Sequence, residues 1–177
     1  MTRFHPIIVA LHWLLAAMIL LALFAGNFLL EALPNSDPAK IDGLRAHMTI
    51  GIAIGALMLV RLITRFATET PPHADTGNAM LNIAGRVAHW GLYLLVFGMV
   101  ASGLGIAQLA GLPAIVFGGE GTLPATFDDI PPRAAHGLIS ILLMLFIAAH
   151  IAGWLYHAIF VKDRLLSRMW FGKRSVD

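Results

Sequence analysis

The sequence predicts an all-α integral membrane protein, a four-helix bundle with N and C termini cytoplasmic. Three observations carry this expectation. The chain is 58% hydrophobic and only 12% charged, whereas soluble domains carry about 25% charged residues, so its solvent is lipid. Four apolar stretches, Ile7–Leu30, Leu44–Phe66, Leu81–Ala110 and Ala134–Val161, are each long enough for a helix to cross a hydrocarbon core of about 30 Å, which takes about 20 residues. Lys and Arg gather on one side of the resulting topology.

The first stretch follows a short basic leader. It is too long for the apolar region of a signal peptide, lacks a small-x-small cleavage site and carries His12, so it is expected to be retained as a helix. The stretches lack the period-two pattern of barrel strands. A helix satisfies its backbone polar groups internally, as a span must. Pro34, Pro38, Pro71, Pro72, Pro113, Pro124, Pro131 and Pro132 fall between the stretches, where helices should break. Gly26, Gly51, Gly55, Gly98, Gly103 and Gly105 fall inside them, where small residues let helices approach closely. The longest connection, Gly111–Arg133, is rich in Gly, Pro and acid and is expected to cap the bundle. Residues 1–177 form a single domain, with no internal repeat and no low-complexity tract.

Orientation follows from the cations. Arg3, Arg61, Arg65, Arg86, Lys162, Arg164, Arg168, Lys173 and Arg174 fall on one side, against Lys40, Arg45 and Arg133 on the other. The richer side is the cytoplasmic one. The tail from Lys162 to Arg174 reads as an anchor on anionic lipid. No nucleic-acid partner is expected. The absence of cysteine excludes disulfides, thiolate-held iron–sulfur clusters, cysteine zinc sites and C-x-x-C-H haem attachment.

Eight histidines is a high number for so apolar a chain. Ionisable groups at membrane depth are costly and point to function. On the fourth helix His136 and His150 are 14 residues apart. At about 100° per residue they share one face, and at about 1.5 Å per residue they lie about 21 Å apart along the axis. That separation suits two stacked cofactors and not one metal ion, whose ligands must converge within a few ångströms. The second and fourth helices both enter from outside, so His47 and His136 are level near the outer face. The first helix enters from the cytoplasm, so His12 is level with His150 near the inner face. Two neutral imidazoles on opposite sides of a porphyrin make an electron-transfer haem b. Two non-covalent, bis-His haems b are therefore the expected cofactors.

His157 lies seven residues beyond His150 and shares its face. By depth either could complete the inner pair. His150 is preferred because it lies inside the apolar span. His157 would then sit at the cytoplasmic rim, within hydrogen-bonding reach of a quinone headgroup. A single membrane histidine is often only an interhelical hydrogen-bond partner, the bland alternative for His89. Two matched pairs are harder to explain that way. Histidine proton relays and cation transporters usually recruit intramembrane carboxylates, and no Asp or Glu lies inside the four stretches, Glu31 standing at an end. Arg61 and Arg65 are candidates for the inner haem propionates, Arg45 and Arg133 for the outer ones. Their plain alternatives are positive-inside bias and snorkelling. Trp13, Trp90 and Trp154 could flank a porphyrin, or simply mark the membrane interface.

These residues resemble the bacterial cytochrome b561 family of small di-haem, quinone-linked membrane proteins. The likeness runs through Leu11-His12-Trp13, through His47 and the Gly-rich helix ending Leu59-Val60-Arg61-Leu62-Ile63-Thr64-Arg65-Phe66, and through Pro71-Pro72. It continues in Ala88-His89-Trp90-Gly91-Leu92-Tyr93-Leu94-Leu95, in Ser102-Gly103, and in Ala149-His150, Tyr156-His157 and Lys162-Asp163. The resemblance implies His12, His47, His136 and His150 as haem ligands, with His89 and Arg61 near a propionate or quinone. It implies a bacterial inner-membrane, multi-pass protein. It also implies, as one activity of the family, oxidation of superoxide at the periplasmic face with ubiquinone as electron acceptor. External Lys40, Arg45 and Arg133 would draw in a small anion, opposed by Glu120, Asp128 and Asp129. The alternatives are a haem b subunit passing electrons between another dehydrogenase or a soluble cytochrome and the quinone pool, and a histidine-based transporter.

Overall fold

The computed structural model describes residues 3–172. Lys173 and Arg174, counted above among the cytoplasmic cations, lie outside the described residues. Four helices are long and apolar enough to span a membrane, and no strand occurs among the described residues. Helix α1, Pro6–Phe24, winds on through a π-helical turn, Ala25–Leu30. Helix α2 is Ala39–Ala67, α3 is Ala79–Leu109, and α4 is Pro131–Tyr156, continued by a π-helical turn, His157–Val161. A four-residue helix α5, Leu165–Arg168, follows.

The four expected stretches are all there, with two shifts at the helix starts. Helix α2 begins five residues earlier than its apolar run. Its first turn carries Lys40 and Asp42, polar residues that hydropathy assigns to a loop. Lys40 is nonetheless buried, and its Nζ donates to the carbonyls of Leu30 and Leu33. A cation there satisfies the free carbonyls at the end of the first span. Helix α4 starts at Pro131, so Pro131 and Pro132 open it instead of standing before it. Proline fits a first turn because its missing N–H has no partner there anyway.

Helix α1 packs on α2, α2 on α3, and α3 most extensively on α4. Between helices in lipid the attraction is close van der Waals contact, so small residues matter. On α3, Gly91, Gly98 and Gly105 recur every seven residues against Phe146, Ile139 and Pro132 of α4. A Cβ at Gly91 would lie 2.3 Å from Phe146 Cε1, closer than packing tolerates. The central core is Leu11, Leu15, Ile54, Met58, Tyr93, Val96 and Leu143. Most other apolar side chains face outward, including Leu20, Phe28, Ile63 and Leu94, as expected where lipid is the solvent.

The connection after α3 does cap one end of the bundle. It forms a π-helical turn, Ala114–Gly118, whose Val116 is fully buried beside Leu112 and Ala107. Arg45 Nε and one of its terminal nitrogens donate to the Val116 carbonyl at 3.0 and 2.8 Å. Asn35 ties the α1–α2 loop to it through the Pro124 carbonyl at 2.8 Å. At the other end the two described chain termini meet, with Phe4 N donating to the Arg168 carbonyl at 3.0 Å. Arg168 in turn reaches the Pro72 carbonyl at 2.8 Å, and Trp13 Nε1 the Met169 carbonyl at 2.8 Å. The tail is thus strapped across the bundle end, with Trp170 and Phe171 exposed.

Candidate haem sites

Each expected histidine pair is brought together. The rings of His47 on α2 and His136 on α4 have centroids 6.3 Å apart and planes at 73°. Those of His12 on α1 and His150 on α4 are 6.2 Å apart at 68°. An imidazole nitrogen sits about 2 Å from a bound metal, so two rings on opposite sides of one metal have centroids about 6 Å apart. No direct hydrogen bond joins the rings within either pair. Among the described residues the ring contacts of His12 are with His150 and Trp13, and that of His157 is with Tyr156. His157 is buried, with Nδ1 2.8 Å from Asp163 Oδ2.

The outer pair borders a cavity whose empty space, with the open solvent at its mouth included, is about 1400 Å³. Its wall is apolar, with Ile54, Val96 and Leu143 of the central core towards its floor and Arg133, Glu31 and Lys40 among its polar lining. Gly51, one turn below His47, lines it too, and a Cβ there would meet nothing within 4 Å. Gly26 and Gly103 flank the rings; a Cβ at either would come within 3.4 and 3.3 Å of His47 and His136 Cε1. His47 Nδ1 is buried without a hydrogen-bond partner. His136 Nδ1 lies 3.0 Å from Ser102 Oγ. A flat apolar group with two open axial positions fits this arrangement, and the orphaned imidazole nitrogen marks polar capacity that the protein alone leaves unused.

Around the inner pair, His89 packs edge-on against His150 at 5.1 Å, and Trp13 against His12 at 5.2 Å. Arg61 donates to Tyr93 Oη and lies over its ring at 5.1 Å, while its Nε is buried without a partner. Arg65 lies over Trp90 at 5.4 Å, and Trp90 stacks on Phe66. Two cations are thus held on aromatic faces near the inner histidine pair.

The cations expected to be external are spent more fully than sequence alone conveys. Arg133 pairs with Glu31 at 2.6 Å. Arg45 pairs with Asp42 at 2.6 Å besides holding Val116, and it does not line the cavity. Lys40 is occupied by carbonyls. Tyr93, Ser102, Asp163 and Glu31 are polar partners not assigned from sequence as site residues. Tyr93 had a signal, since it follows His89 by four residues and so shares its face. Ser102 and Glu31 are set by how neighbouring helices rotate, which a single helix's periodicity does not contain, and Asp163 by the bend that follows the last π-helical turn.

Comparison with known proteins decides the family. The family model for prokaryotic cytochrome b561 matches residues 3–172. The chain belongs to the prokaryotic cytochrome b561 family. It is similar to cytochrome b561 homolog 2 of Escherichia coli strain K12, at 30% identity over 99% of this chain and 94% of that protein. It is also similar to the probable superoxide oxidase CybB of Yersinia pestis, at 28% identity over 94% and 95% of the two chains. Cytochrome b562 of Cereibacter sphaeroides is 29% identical over 91% of this chain and 90% of its own length. As a cytochrome b561 the chain is a multi-pass protein of the bacterial inner membrane that binds b-type haem and transfers electrons.

Proposed function

We propose that this cytochrome carries electrons across the membrane through two b-type haems, from superoxide at the periplasmic face to ubiquinone in the membrane. The observation that carries the proposal is the pair of facing imidazole pairs, 6.3 and 6.2 Å between centroids, at two depths of one bundle. His47 and His136 would hold the outer haem, His12 and His150 the inner one. The haem supplies a one-electron ferric–ferrous couple. The protein's own part is to hold the four imidazoles, exclude water with the Ile54–Val96–Leu143 layer, and receive the propionates. Arg133 serves that last role outside. Arg61, Arg65 and Tyr93 serve it inside, with His89 beside them. Arg45 holds the external cap down on the bundle.

The reaction balances simply. Two superoxide anions each give up one electron and leave as dioxygen. One ubiquinone takes the two electrons and two cytoplasmic protons and becomes ubiquinol. We place the quinone headgroup near His157, whose Nδ1 donates to Asp163 Oδ2, so that Nε2 holds the lone pair and can accept from a quinol hydroxyl. We read this end, where both described termini meet, as the cytoplasmic one, a reading that the cation bias supports.

A second reading is favoured by the engaged external cations. With Lys40, Arg45 and Arg133 all partnered and Glu120, Asp128 and Asp129 exposed, the outer face carries little pull on a small anion. A periplasmic protein donor, or a dehydrogenase, would then feed the outer haem. Stopped-flow reduction of the haems by superoxide separates the two. A rate approaching the diffusional ceiling of about 10⁸–10⁹ M⁻¹s⁻¹ is the outcome for a superoxide oxidase. Slow reduction together with a co-purifying partner is the outcome for an electron-transfer module.

A further inference from the structure

Of the four candidate ligands, His136 is the one whose ring carries a hydrogen bond to another side chain among the described residues. Ser102 Oγ lies 3.0 Å from His136 Nδ1 and also donates to the Met99 carbonyl at 3.0 Å. A hydroxyl has one proton and two lone pairs. With its proton committed to Met99, Ser102 can only accept from the ring, so Nδ1 carries the hydrogen and Nε2 carries the lone pair. Next to Ser102, Gly103 leaves the ring the space it occupies. Serine in a membrane helix commonly bonds back to its own preceding turn, which accounts for the Met99 bond. It does not account for the lone pair aimed at His136. On the facing helix, His47 Nδ1 has no such partner.

We propose that Ser102 is a positioning residue for the outer site. It fixes the tautomer and rotation of His136, presents Nε2 to the cavity, and makes that imidazole a stronger donor to ferric iron. This rests on the assignment of His136 as an outer haem ligand. A partner that accepts from the distal nitrogen of a ligating imidazole raises its basicity, and removing such a partner costs about 10–100-fold in metal affinity. The ferric state gains most from a basic ligand. Loss of the bond therefore weakens the preference for ferric iron about tenfold, which raises a one-electron potential by about 59 mV.

The test is redox potentiometry and low-spin electron paramagnetic resonance on the purified haem-loaded protein and its Ser102→Ala, Ser102→Thr and His136→Ala variants. His136→Ala identifies which signals belong to the outer haem. The expected result is an upward shift of that potential alone in Ser102→Ala, with an altered outer low-spin signal, and recovery of both in Ser102→Thr. If Ser102→Ala sheds the outer haem, its return in Ser102→Thr supports the proposal and its continued absence overturns it. Unchanged potentials in Ser102→Ala, in a protein from which His136→Ala removes a haem, would mean that Ser102 positions nothing. Retention of both haems by His136→Ala would instead overturn the ligand assignment on which the proposal stands.

Discussion

At the scale of single residues, the assignment makes separable demands. Replacing His47 or His136 by alanine should remove only the outer haem, and replacing His12 or His150 only the inner one, counted as haem per polypeptide. If His157→Ala loses haem while His150→Ala keeps both, the inner ligand is His157. Asp163→Asn should leave both haems in place but slow quinone reduction, since His157 loses the carboxylate that anchors its ring. The cation pairing gives a further test of the superoxide reading. Glu31→Gln would release Arg133 from its 2.6 Å partner and add one positive charge at the cavity mouth. Superoxide reduction should then rise several-fold at low salt and lose that gain at high salt. A rate indifferent to both would point to a protein donor. These residue-level parts were unevenly legible. The two pairs could be read because helical periodicity and span direction together fix face and depth. Ser102 and Glu31 could not, because their roles arise between helices, and Asp163 could not, because the chain bends back onto His157 only after the π-helical turn ends.

At the scale of elements, the α3–α4 seam holds the bundle that carries His136 and His150. Its tightest point is Gly91 against Phe146. Gly91→Ala overpacks that point and should destabilise the protein by about 1–3 kcal/mol, seen as a lower thermal midpoint in detergent, with partial recovery in Gly91→Ala/Phe146→Leu. The π-helical turns were not legible in the sequence, since a one-residue widening leaves no compositional mark. Two of them adjoin the proposed sites, as such bulges often do. Gly26 and Asn27 of the first line the cavity, and His157 opens the last. The early start of α2 was hidden for a different reason. Lys40 looks like loop sequence by hydropathy, yet it is buried because its ammonium caps the carbonyl end of the first span.

At the scale of the whole molecule, the number of spans and their order were legible because the lipid solvent demands about 20 apolar residues per crossing. An even number of crossings puts both described chain ends on one side, which the Phe4–Arg168 contact reflects. The cation bias predicts that this side is the cytoplasm. A reporter fused after the last residue and active only in the cytoplasm should be active, and one inserted at Gly119 in the external cap should not. The central claim is that this one bundle holds two bis-histidine haems at different depths. Haem stoichiometry of the purified protein, by pyridine haemochrome against protein concentration, tests it most directly. Two haems b per chain is the predicted result. One haem per chain would contradict it.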